Sequence, residues 1–502
     1  MFVHLASSLH IRWAVSKNAV VVLLLGFFLS GCVQKSEITQ PTNSSSGQYS
    51  QDIQPIFNRS CGTSDCHGGG PRGFAGGLDL TSYNGLFRGS AYGAAVVSGS
   101  AFMSHLVQVI NRTDTNLSPI SSAAMPASRS PLPSQDIQTI VRWIDDGAKN
   151  DNGALPFPEP RPVGKLFFTS QAVDLVGVID LSTGLVMRYV TVGNTLPMNA
   201  PPQAPHVVQV DDQGRYYYVT MISANLLKKY DAATNQLVGQ VSVGTFPAQV
   251  VITADGSKAY VTNFDQTVGR VFAVNTSTMT IIDTIHASTF MKGTHACRIS
   301  HDGQYLYVGN NGTDLVTVIN TANDSVITHI PVAGDVPPFG SFSYRPYQIA
   351  VRGDDRFVYV TLNGRGLVSV IERNGDQFTL RDTIPVGFRP LQCEVTRDQR
   401  FLYVCDQGSG TVSVIDAQTN TFLTTIPDVG KQPHGIDISD DSRTVYVTCE
   451  NQFGSDPPHH PVVGSKVPAY VVFIDVGTQQ VFKRVEVGGF AAGISVFPGR
   501  GN

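Results

Sequence analysis

Apolar residues follow three different periodicities along this chain of 502 residues. Near the N-terminus they run unbroken from Ala19 to Leu29, after Arg12 and Lys17. That run is too short to span a bilayer and suits the hydrophobic core of a signal peptide. Between residues 51 and 149 the spacing becomes helical. Ile53, Ile56 and Phe57 share a face of a short helix over 52–57, and another short helix is predicted over Ser104–Ile110. A longer helix has Ser134 as N-cap, a stripe of Ile137, Ile140, Val141 and Ile144, and Gly147 as its stop.

From Lys165 onward the pattern is that of short strands, repeated. Tyr-Val pairs begin at Tyr218, Tyr260, Tyr307, Tyr359, Tyr403 and Tyr446, with spacings of 42, 47, 52, 44 and 43 residues. Phe167-Phe168 holds the same place in an earlier unit. Pairs follow turns such as Asp255-Gly256 or Asp302-Gly303 and precede strands ending near Ile415-Asp416 or Ile474-Asp475. Four short strands per unit at a near-fixed period predict a β-propeller, here of seven units. Gly493-Ile494-Ser495-Val496 matches the first strand of a unit with nothing after it. It should pair into the first unit, which begins without that strand at Lys165, and so remove an exposed edge.

The expected fold class is mainly β: a seven-bladed β-propeller over 165–502, preceded by a small all-α domain over 51–149. Residues 150–164 are rich in Pro and Gly and read as a linker. With 42% apolar residues the chain can bury more than one core, and a net charge of −4 with 15% charged residues gives no basic surface for nucleic acid. The apolar run ends in Leu29-Ser30-Gly31-Cys32, which resembles a bacterial lipobox. That resemblance implies a signal peptide over 1–31, lipid on Cys32, and a flexible tether over 32–50. Val33, not aspartate, follows the cysteine, which favours the outer membrane, facing the periplasm or the cell surface.

The chemistry is concentrated in Cys61-Gly62-Thr63-Ser64-Asp65-Cys66-His67. Two cysteines followed at once by histidine form the attachment pattern of a c-type haem, although four residues separate these cysteines where two are usual. A Cys61–Cys66 disulfide and half of a zinc site are the alternatives, but no second Cys/His pair lies nearby in sequence. The stretches IQPIFNRSCGTSDCHGG, LDLTSYNGLFRG and MPASRSPLPSQDIQTIVRWIDDGA together resemble the planctomycete-type cytochrome c domain. That resemblance implies one covalent haem c on Cys61 and Cys66, His67 as proximal iron ligand and Met125 as distal ligand. Met103 and His105 are rival distal candidates, His105 reading otherwise as a polar helix position. The repeats resemble the YVTN family of seven-bladed propellers, a likeness that specifies fold rather than function.

One propeller face stands out. The residues following the start of each innermost strand are His206, Ala248, His295, Tyr347, Leu391, His434 and Ala492, and they should ring the channel mouth. The insertions 193–204, 332–344 and 452–468, the last with His459-His460, open onto the same face, where Arg345, Arg389, Lys292 and Lys431 make a basic rim for a partner. His206, His295 and His434 are candidates for a second metal site, with channel-plugging polar residues as the alternative. Cys297, Cys393, Cys405 and Cys449 read as buried free thiols. The expected function is one-electron transfer at the cell envelope, the propeller serving as docking or redox-partner module. The expected partners are a redox protein and, through Cys32, the membrane. Two other functions stay open. One is a propeller-based oxidoreductase, similar in domain order to nitrite reductases, with a second cofactor or metal at the mouth. The other is a non-redox ligand-binding propeller with a haem sensor.

Overall fold

A computed structural model describes residues 48–68, 76–127, 129–158, 164–194, 201–287, 289–334, 343–454 and 467–497, all within the compact unit 45–502. The signal-like run, Cys32, the tether up to residue 47 and His459-His460 lie outside the described residues.

The helical part packs four helices, α1 (Gln54–Ser60), α2 (Tyr83–Phe87), α3 (His105–Ile110) and α4 (Ser134–Asp145), around one core. The first apolar stripe is divided: Tyr49–Ile53 forms a π-helical turn and α1 follows, with Pro55 in its first turn, where a missing N–H costs nothing. At α4 the N-cap is Pro133, not Ser134, and its carbonyl accepts from Asp136 N at 3.0 Å. Ile140, Trp143 and Ile144 are the fully buried residues of that helix, and Gly147 ends it in the left-handed region at φ 103°. The core closes over the chain that leaves it: Trp143 Nε1 donates to Lys149 O and Tyr83 Oη to Ala148 O, both at 2.9 Å.

Beyond it lie seven four-stranded antiparallel sheets, one per repeat. Blades 2 to 7 begin with the inner strands Pro205–Val210, Pro247–Ile252, Thr294–Ile299, Pro346–Val351, Pro390–Val395 and Pro433–Ile438. Blade 1 takes its inner strand from the C-terminus: Ala491–Phe497 pairs with Lys165–Ser170, Lys165 opposite Phe497 and Phe168 opposite Ile494. Burial of Ile494 and Val496 there contributes roughly 1.5–3 kcal/mol each.

In four of the six blades with a Tyr-Val pair, the residue after the pair is a threonine that clamps neighbouring blades. Thr220, Thr262, Thr361 and Thr448 each accept from an inner-strand N–H of their own blade, at 2.8–3.1 Å. They donate to the next blade at Ala248 O, His295 O, Leu391 O and Ala492 O, at 2.5–3.2 Å. The tyrosines of the pairs reach across as well: Tyr260 Oη donates to Asp324 at 2.5 Å and Tyr359 Oη to Asn420 at 2.7 Å, each in the following blade.

The outer strands of all blades carry a β-bulge that breaks the edge ladder. In blade 1 the residue before the bulge and the bulged one, Val186 and Met187, are 4% and 0% exposed. Their equivalents Leu237/Val238, Ile281/Ile282 and Phe422/Leu423 are 42–53% exposed. The difference is the helical domain. Its Val97 packs with Leu166, Phe168 and Val186, and Phe87 and Phe157 pack with the cluster holding Phe167, Met187 and Tyr217. Arg188 fixes the seam by donating to Phe157 O at 2.9 Å.

Candidate functional site

Cys61 caps the end of α1, and its carbonyl accepts from His67 N at 2.9 Å. The extra residues between the cysteines are taken up in a turn in which Thr63 O accepts from Cys66 N at 2.9 Å. Gly68 makes room for that turn, since a Cβ there would stand 2.6 Å from Thr63 O. The wide spacing therefore still brings Cys61, Cys66 and His67 to one wall. The segment 78–80 brackets the histidine. Leu80 N donates to His67 O at 2.9 Å, and His67 Nδ1 lies 3.3 Å from Leu78 O, the geometry in which Nδ1–H donates and Nε2 is left as the lone-pair nitrogen. Burial lowers the His67 pKa, favouring that neutral form, while burial and the neighbouring Cys66 push the Cys61 thiol up to about 11.

These three residues share a cavity of about 510 Å³ with Met125 and His105. Leu78, Leu80, Leu106, Val109, Ile110 and Leu132 supply an apolar lining. The size suits a group as large as a porphyrin. Two thiols, an imidazole with a fixed tautomer and a thioether are the donor set of a c-type haem, so the residues present fit that group.

Met125 is held by α3. The last carbonyls of a helix lack intrahelical partners; here Gln108 O accepts from Ser121 N at 3.0 Å and Val109 O from Met125 N at 2.8 Å. Arg112 donates to Pro126 O at 3.1 Å, and Arg129 pairs with Asp65 at 2.8 Å, tying the methionine loop to the cysteine loop. Of the rivals, His105 lines the cavity, with Nδ1 3.5 Å from Gln108 Oε1. Met103 does not line it and packs instead on the propeller residues Ala172, Val173 and Leu175.

At the propeller mouth the three histidines do converge. The His206 ring lies 5.6 Å from His295 and 5.4 Å from His434, and Tyr347 stacks on His295 at 3.8 Å. All three are buried, and burial holds His206 and His295 well below the ordinary histidine range, His295 at about 3. His295 Nδ1 is bonded to Tyr347 O at 2.8 Å and His434 Nδ1 to Glu450 Oε1 at 2.5 Å, while His206 Nδ1 and His434 Nε2 are buried with no hydrogen-bond partner among the described residues. Among the described residues no group of three or more His, Cys, Asp or Glu is placed to hold a metal ion. The three histidines thus gather at the channel mouth without forming such a group, an arrangement that plugs the channel with polar side chains. Sequence reasoning missed Glu450, although the pairing of Pro433 with Cys449 puts it beside His434.

Arg345, Arg389 and Lys431 are exposed on this face and Lys292 is half-buried. Phe246, Phe388 and Phe453 join them at 53%, 64% and 81% exposure. Below the plug, the channel holds Arg298 paired with Glu394. Cys297, Cys393, Cys405 and Cys449 are buried and form no disulfide with any described residue.

Residues 64–118 match the family described as Planctomycete cytochrome C, a span that includes Cys66 and His67 and stops short of Cys61 and Met125. Residues 186–387 match the family described as Lactonase, 7-bladed beta-propeller. No curated protein matches the chain. Among solved structures, a functionally unknown protein from Desulfotomaculum acetoxidans DSM 771 is similar at TM-score 0.53 and 14% identity, over 66% of this chain and 98% of that one. Kuenenia stuttgartiensis hydrazine synthase aligns at TM-score 0.44 and 16% identity, over 57% of this chain and 87% of its own. The first of these likenesses is one of fold alone. The chain thus carries a planctomycete-type cytochrome c domain followed by a seven-bladed β-propeller, the architecture of a haem-related electron-transfer protein.

Proposed function

We propose that this protein is a monohaem c-type electron carrier of the cell envelope. The observation that carries the reading is the gathering of Cys61, Cys66, His67 and Met125 around one cavity of about 510 Å³. A haem c bound there supplies a one-electron Fe(III)/Fe(II) couple. The chain's own residues do the rest. Cys61 and Cys66 are the thioether donors. Leu78 O orients His67 so that Nε2 serves as proximal ligand, and Val109 O and Arg112 set the loop that offers the Met125 sulfur as distal ligand. The apolar lining excludes water, and thioether ligation favours a higher potential than a second imidazole would.

The propeller serves as the docking module. Its surface ion pairs, such as Lys258–Asp324, Arg352–Asp354 and Arg397–Asp440, gather towards the face opposite the histidine plug. Arg345, Arg389 and Lys431 on the plug face make no ion pair with any described residue. Exposed Phe and Arg side chains are the composition of a protein-binding surface, and the cations suit a redox partner with acidic docking residues. Lipid on Cys32 and the tether would place the protein at the outer membrane.

The ligand assignment is tested on the ferric protein. The weak near-infrared methionine-to-iron band should be present, vanish in Met125→Ala and persist in His105→Ala. The opposite pattern makes His105 the distal ligand and lowers the potential.

A further inference from the structure

Helix α3 connects two places that the fold otherwise keeps apart. Just before it, Phe102 and Met103 pack against Ala172, Val173 and Leu175 of blade 1, beside Tyr189 and Phe490. A small cavity of about 40 Å³ at this seam is bordered by Met103 and Gln108 on one side and by Tyr189 and Gly488 on the other. The turn into the helix is fixed by Ser104, fully buried, whose Oγ accepts from Val97 N at 2.9 Å and donates to Ser100 O at 2.7 Å. Gln108 returns to the same turn, its Nε2 donating to Phe102 O at 3.2 Å. Elsewhere on the helix Leu106, Val109 and Ile110 line the haem cavity, and its last carbonyls hold Ser121 and Met125.

We propose that blade 1 of the propeller positions the distal haem ligand, with Phe102 and Met103 as positioning residues acting through α3. The proposal rests on the reading of Met125 as distal ligand. Its physical basis is a chain of packed side chains and hydrogen bonds that runs from blade 1 through the Ser104 turn and α3 to the Met125 amide. Close-packed interiors transmit displacement rather than absorb it. The Met125 amide is bonded to the helix, so α3 cannot shift on its propeller seat without moving the loop that presents the sulfur. Loosening that seat therefore lets the sulfur leave the iron more often. An exogenous ligand such as imidazole then binds more tightly, in proportion to the ligand-off fraction.

The experiment uses the full haem-loaded chain and three variants: Met103→Ala from the cytochrome side, Phe490→Ala from the propeller side, and Met103→Leu as the conservative control. Three quantities are read for each: the near-infrared band, the midpoint potential, and the affinity of the ferric protein for imidazole. The expected result is an imidazole affinity raised about tenfold in both alanine variants, equivalent to about 1.4 kcal/mol in the ligand-on equilibrium. It should come with a weaker band and a lower midpoint, while Met103→Leu stays near the parent. Should Phe490→Ala lower the unfolding midpoint of the propeller, Leu175→Val loosens the same seat with fewer atoms removed. Unchanged affinity and midpoint in the alanine variants, with the band still lost in Met125→Ala, overturn the coupling and leave the ligand assignment standing. A parent protein without the band overturns both.

Discussion

The histidine plug makes the propeller's stability depend on pH, and His295 shows by how much. Its ring is buried against Tyr347 and Phe264 with His206 alongside, and burial pushes its pKa from the ordinary 6.5 down to about 3. The fold therefore keeps this imidazole neutral over a range in which the unfolded chain takes up a proton. The stability it contributes is complete above about pH 6.5 and is lost as pH falls from there towards 3. Within that window each pH unit costs about 1.4 kcal/mol. Between pH 7 and pH 5 this one group should remove about 2 kcal/mol. In His295→Gln the amide can still donate to Tyr347 O but does not titrate. Urea unfolding followed by circular dichroism at the two pH values, at constant ionic strength, gives the comparison. The parent should lose about 2 kcal/mol more than the variant on going from pH 7 to pH 5. An equal loss in both refutes the placement of a neutral, buried His295 in the plug.

Other perturbations bear on the rest of the molecule. Arg298→Met should cost about 3–5 kcal/mol by removing the guanidinium paired with the buried Glu394, and Arg298→Met with Glu394→Leu should recover most of that in the same urea assay. Thr448→Val should cost about 1–3 kcal/mol, because Ala492 O and Gly435 N both lose a partner at the closing blade; an unchanged denaturation midpoint would argue against the clamp. Removing residues 491–502 exposes the edge Lys165–Ser170, and the product should aggregate where the parent is monodisperse in light scattering. Arg345→Glu with Arg389→Glu should slow reduction of the ferric haem by an acidic redox protein such as reduced flavodoxin and flatten its salt dependence in stopped flow; no change in either would move docking elsewhere.

Most of the propeller could be read from sequence because its signals are local and repeated. The Tyr-Val spacing marks the second strand of each blade, and the orphan strand 493–496 has only Lys165–Ser170 to pair with. The histidines gather as expected because the inner strands start together at one mouth. What sequence could not show was set by tertiary choice. Val186-Met187 and Leu237-Val238 are equally apolar, so nothing local says which pair the cytochrome covers. Met103 and His105 are two residues apart, yet the turn at Ser104 sends one to the propeller and the other to the haem cavity. The imidazole partners Tyr347 O and Glu450 were not legible, because they come from another blade and another strand. Ser134 looked like a cap by residue type, but the Pro133 carbonyl does that work one position earlier.

The central claim is that Cys61 and Cys66 hold a single haem, with His67 beside them as the proximal ligand. Intact-mass measurement of the purified protein, followed by sequencing of its proteolytic fragments, tests it directly. The account predicts a mass above that of the polypeptide by one haem, with the added mass on the fragment containing Cys61 and Cys66 and lost from it when both are replaced by alanine. A polypeptide mass without haem, or a Cys61–Cys66 disulfide in that fragment, would contradict it.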